Sequence, residues 1–148
     1  MQGMDYFNMH CQPGAADGGK LKTDKIGELE RWVQIRFKQT PNTVDCALAR
    51  ALNAKDVKPE ILGNTAPKGT AAGRTTEFTM GKVRDVSATV KIPYPGGTAI
   101  FVNQILTSGM SQGGDSGSLV TDQKNRAVGL LFAGSKVVTI CNPIPAVL

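Results

Sequence analysis

Residues 111–120 read SQGGDSGSLV: a glycine-rich bend holding one acid and one central serine, then a short apolar run. A serine hydroxyl is a poor nucleophile until a base takes its proton. The oxyanion that forms in acyl transfer needs N–H donors already in place. Glycines on both sides of a serine let the backbone bend sharply and let a substrate carbonyl approach. Gly113, Gly114 and Gly117 around Ser116 meet those needs, and the N–H groups of Gly114 and Ser116 can point into one small concavity. Asp115 is placed to tie such a loop down from inside. Taken alone, GDSG is also an ordinary turn, so the flanking sequence has to decide between the two.

The flanks read as strands. After the bend come a turn at 122–125, an apolar run at 127–133 (AVGLLFA) and another at 137–141 (VVTIC). Before it, residues 85–94 (DVSATVKIPY) alternate strictly, with Val86, Ala88, Val90 and Ile92 on one face and Ser87, Thr89 and Lys91 on the other. Pro95, Gly96 and Gly97 close that run with a turn, and AIFVNQIL at 99–106 follows. Residues 75–83 (TTEFTMGKV) also alternate. Regularly spaced short strands with turn residues between them predict an all-β chain, an antiparallel barrel or sandwich. Further upstream, 26–37 (IGELERWVQIRF) allows a helix in its first half, while its second half, from Trp32 to Phe37, is expected to favour a strand. Residues 43–50 (TVDCALAR) form a short apolar run with one acid, Asp45. Residues 1–24 read as a loop and 53–72 as a linker. At the end, Asn142 is expected to cap a helix with Pro143 in its first position.

Composition removes several functions. The net charge is +5, but the basic residues are scattered and no run of five like charges exists, so a nucleic-acid partner is not expected. Three widely spaced cysteines, Cys11, Cys46 and Cys141, suit neither a disulfide framework nor a CxxC metal site. They read as structural thiols, which favours a reducing, cytoplasmic setting, and no metal or other cofactor is expected. No apolar stretch reaches 18 residues, so no membrane partner is expected, and the first ten residues lack the pattern of a signal peptide.

GGDSGS, then a strand, then VGLLFAGS at 128–135 resembles the second barrel of bacterial trypsin-like (chymotrypsin-fold) serine proteases. Residues 73–76 and 79–83 resemble the opening of that barrel. The resemblance covers roughly 11–148 and is strongest from Gly73 onward. It implies a double β-barrel with a complete C-terminal barrel in 66–148 and an incomplete N-terminal barrel in 1–65. It implies acyl transfer through a Ser-His-Asp triad, with Ser116 as nucleophile, Gly114 and Ser116 as oxyanion hole, and Asp45 as triad acid. Phe132, Ala133 and Gly134 would pair an extended substrate strand. Met110, six positions before Ser116, falls where the family sets side-chain preference. A neutral or apolar substrate side chain is therefore expected, rather than Arg or Lys.

The base is the difficulty. His10 is the one histidine, and only nine residues precede it, where the family has about two strands. The chain is thus expected to lack the first part of the N-terminal barrel, and with it a working base. The function expected is that of an impaired serine endopeptidase acting on polypeptides. The competing readings are a non-catalytic peptide-binding module on the same scaffold and, more distantly, a β-rich nucleic-acid binder. Exposed strand edges are expected to promote self-association.

Overall fold

The computed structural model describes residues 9–11, 18–20, 22–57, 70–73 and 75–148. They fall into two compact units, one drawn from Met1–Val33 and Ala47–Glu60, the other from Gln34–Cys46 and Ile61–Leu148. Residues 34–46, grouped by the sequence reading with 1–65, therefore belong to the second unit, and Asp45 with them.

The first unit carries a three-stranded antiparallel sheet in the order β1-β2-β3, with β1 at Met9–Cys11, β2 at Lys25–Trp32 and β3 at Ala47–Ala51. The β1 strand corrects the expectation of a loop through residue 24. Its three residues carry no alternation of their own and become a strand by pairing with β2. Strand β2 ends at Trp32, so the apolar second half of the 26–37 run is not strand. Those residues find partners of another kind. The Asn42 side chain accepts from Arg36 N at 2.8 Å and donates to Arg36 O at 2.8 Å, imitating a strand neighbour. The Phe37 ring meets the Tyr94 ring edge-on at 6.2 Å.

The second unit holds seven strands: β4 at Thr70–Gly73, β5 at Glu77–Met80, β6 at Val83–Tyr94, β7 at Gly97–Ser108, β8 at Leu119–Thr121, β9 at Ala127–Gly134 and β10 at Val138–Pro143. Their order is β5-β4-β8-β9-β10-β7-β6, and every described pairing between these strands is antiparallel. Strand β4 falls in the stretch read as linker; residues 58–69 lie outside the described residues. The alternation of β6 holds for Ala88, Val90 and Ile92, but Val86 is 67% exposed. The register explains the failure, because it shifts between Asp85 and Ala88. Opposite it, Asn103 adopts a positive φ of 59° on β7 and moves the buried face from Ala99 and Phe101 to Gln104, Ile105 and Thr107. Asparagine tolerates that conformation better than most residues, and one extra residue in a strand moves its side chains to the other face.

One core cluster is aliphatic, Ile105, Met110, Val120, Leu131 and Cys141 with Val128 against them, while the fully buried Phe101 packs on Tyr94 and Phe132. Each large side chain buried here stabilises the unit by roughly 1.5–3 kcal/mol. Strands β9 and β10 come very close, since a Cβ on Gly129 would lie 2.9 Å from Cys141 Cβ. The chain ends in a single turn, α1 at Ile144–Val147. Pro143, not Asn142, is its N-cap. Asn142 belongs to β10, fully buried, with its side chain committed elsewhere.

Candidate active site

The bend between β7 and β8 is built around Asp115, which is 1% exposed. Its Oδ1 accepts from Thr75 N at 2.7 Å and Thr76 N at 3.2 Å. Its Oδ2 accepts from Thr76 Oγ1 and from Gln112 N, both at 2.8 Å. Burial pushes the carboxyl up, but these bonds from Gln112, Thr75 and Thr76 outweigh it and hold the group below its ordinary value. Thr75 Oγ1 also donates to Gly113 O at 3.0 Å. The far side of the bend is tied to β9, where Gly117 N donates to Leu131 O at 2.7 Å and Leu131 N to Ser118 O at 2.9 Å. Gly114 and Gly117 have φ values of 104° and 89°, which explains why glycine stands at both.

Between those anchors Ser116 is exposed. Its hydroxyl donates to Phe132 O over a long 3.4 Å and meets no carboxylate or ring nitrogen among the described residues. The N–H groups of Gly114 and Ser116 have no protein acceptor among those residues either. A cleft of about 720 Å³ opens beside the hydroxyl, walled by residues 109–113 on one side and 133–136 on the other. Ala133 and Gly134 line it. The Phe132 ring packs on Phe101, at a centroid distance of 4.9 Å. Met110 also borders the cleft, but it is only 7% exposed and packs into the core cluster and toward Gly81, where an added Cβ would lie 2.5 Å from its Sδ.

Asp45 is half-buried and held at three points. Tyr94 donates its hydroxyl to Asp45 Oδ2 at 2.5 Å. Asn142 Oδ1 accepts from Asp45 N at 3.0 Å, and Asn142 Nδ2 donates to Asp45 O at 2.8 Å. Burial, the bond to Asp45 and the Asp45 charge all push the Tyr94 phenol up, so it stays a donor. Sequence reasoning missed both partners: Tyr94 ends a strand read only for its alternation, and Asn142 was assigned to a cap. His10 lies in β1 opposite Gly27, in the first unit; its side chain is not among those described. The side chains of Cys46 and Cys141 are described, and both thiols are free. Burial raises Cys46, with the Asp45 charge adding to it, and pushes Cys141 up to about 12. Neither is a ready nucleophile. Among the described residues no group of three His, Cys, Asp or Glu side chains could hold a metal ion.

The structure is similar to that of a serine protease specific for glutamic acid, described as using a histidine triad in substrate binding. The TM-score is 0.57 at 21% identity, over 89% of this chain and 72% of that one. What the two share at that identity is the fold, an all-β architecture of the chymotrypsin type. No protein-family model matches the chain, and no curated protein does.

Proposed function

We propose that this chain is a serine-endopeptidase scaffold with Ser116 as its nucleophile, and that the chain as it stands cleaves peptide bonds poorly. One observation carries the reading: an exposed serine hydroxyl stands at the edge of a cleft, on a bend whose Gly114 and Ser116 N–H groups find no protein acceptor among the described residues. In the reaction, Ser116 Oγ bonds to the carbonyl carbon and the oxyanion is met by Gly114 and Ser116 N–H. The Oγ proton must leave, and the departing amine must gain one. The Phe132 carbonyl accepts a hydrogen bond but is no base at neutral pH, so the proton goes to water. With no base at Ser116 among the described residues, turnover is expected to fall by a factor on the order of 10⁶.

Substrates whose leaving group needs no proton escape part of that cost. A nitrophenyl ester of a short peptide is therefore expected to acylate Ser116 measurably, while the matching peptide amide stays uncut over hours. Rapid amide cleavage would show that a base reaches Ser116 and would overturn the impairment. A folded chain that no ester acylates would leave the second reading, a peptide-binding module on this scaffold. The engagement of Asp45 by Tyr94 favours that alternative. The substrate-binding histidine triad of the similar protease has no counterpart, since this chain has a single histidine. Selection in the cleft must use other groups.

A further inference from the structure

The protons of the Thr139 and Ser111 hydroxyls can be assigned by exclusion. Thr139 Oγ1 is fully buried; it accepts from Met110 N at 3.0 Å and lies 2.7 Å from Ser111 Oγ. If Ser111 donated to it, both its lone pairs would be filled and its own proton would be buried without an acceptor. A buried donor left in that state is costly. The proton therefore runs from Thr139 to Ser111, and the Ser111 O–H is free to point into the cleft. Thr76 and Thr79 offer no such proton, because Thr76 Oγ1 donates to Asp115 and Thr79 Oγ1 to Met110 O at 2.6 Å. Gly134 keeps the way to Ser111 open, since a Cβ there would sit 3.1 Å from Ser111 Oγ.

The charge on the lining has one sign. Lys136 is the one charged residue among the described lining residues, exposed at the cleft wall and without an ion pair among them. Asp115 lies behind the bend with its oxygens taken by four donors. We infer that this cleft selects an acidic side chain, the Ser111 hydroxyl donating to its carboxylate and Lys136 supplying the opposite charge. The inference rests on reading the cleft as the substrate side of the scaffold. A lysine or arginine would meet Lys136 and find no acid. A leucine would leave the Ser111 proton without an acceptor.

The test is an NMR titration of the ¹⁵N-labelled chain with N-acetyl tripeptide amides that differ only in their last residue: Glu, Gln, Leu or Lys. The Glu peptide is expected to bind about tenfold tighter than the Leu peptide and to shift the amide signals of Ser111, Gly134 and Lys136. Lys136→Met changes an exposed side chain and should bring Glu down to the level of Gln, a loss of roughly three- to fivefold. Ser111→Ala should weaken both. The inference is overturned if Leu or Lys binds as well as Glu, if the Glu preference survives both substitutions, or if no peptide shifts those signals. Failure here is separable from failure of the catalytic reading. Ser116 acylation without a Glu preference sinks only the selectivity, and a Glu preference without acylation sinks only the chemistry.

Discussion

Asp115→Ala is expected to cost the second unit about 4 kcal/mol and to collapse the bend that presents Ser116. The substitution removes one acceptor group and strands four donors: Thr75 N, Thr76 N, Thr76 Oγ1 and Gln112 N. Water can enter and satisfy some of them, which is why the loss falls well short of four separate penalties. Asp115→Asn keeps one acceptor oxygen but turns an amide N–H₂ toward Gln112 N, so about half the loss is expected. The sign of the pH dependence follows from the lowered carboxyl. In the unfolded chain the group takes up its proton near its ordinary value of 3.8, above the folded one. Its contribution is complete well above 3.8 and is lost as pH falls through the lower, folded value. Denaturant midpoints at neutral and acid pH should therefore fall more steeply in the wild-type chain than in Asp115→Asn. Equal slopes would mean that the carboxylate does not hold the bend.

Gly134→Val should produce the second large effect, mainly on binding. A Cβ at that position would come within 2.9 Å of Val138 O, a backbone atom of the neighbouring strand, and 3.1 Å of Ser111 Oγ. Only the serine can move aside. The overpacking should lower stability by about 1–3 kcal/mol. The branched side chain would also stand over the Ser111 hydroxyl, so peptide affinity should fall at least tenfold while the chain still folds. Unchanged affinity would place peptide binding somewhere other than this cleft.

The bend was legible because its demands are local. A serine between glycines, with an acid beside it, states its own geometry within five residues. The partners of Asp115 were not legible: Thr75 and Thr76 lie about forty positions away and reach it through the pairing of other strands. The same distinction runs through the fold. The alternation of β6 announced a strand, but the slip at Asn103 that exposes Val86 depends on a neighbour's backbone. Three residues at Met9–Cys11 become β1 because β2 is there to pair with them. Asn142 before a proline looks like a helix cap, and β10 spends its side chain on the Asp45 backbone instead. Met110 sits at the informative position in sequence, and spacing alone does not tell that most of it packs into the core while it also borders the cleft. The direction of a side chain is a property of packing, and one-dimensional spacing does not carry it.

On the proposed function, Ser116 presents a reactive hydroxyl beside donors ready for an oxyanion. A fluorophosphonate reagent tests it, because the serine oxygen displaces fluoride and the phosphoryl oxygen takes the place of the oxyanion. Intact-mass analysis of the folded chain should show one adduct, formed slowly, mapped to Ser116 by fragmentation and absent from Ser116→Ala. A folded wild-type chain that gains no adduct, or an adduct that persists in Ser116→Ala, would contradict the account.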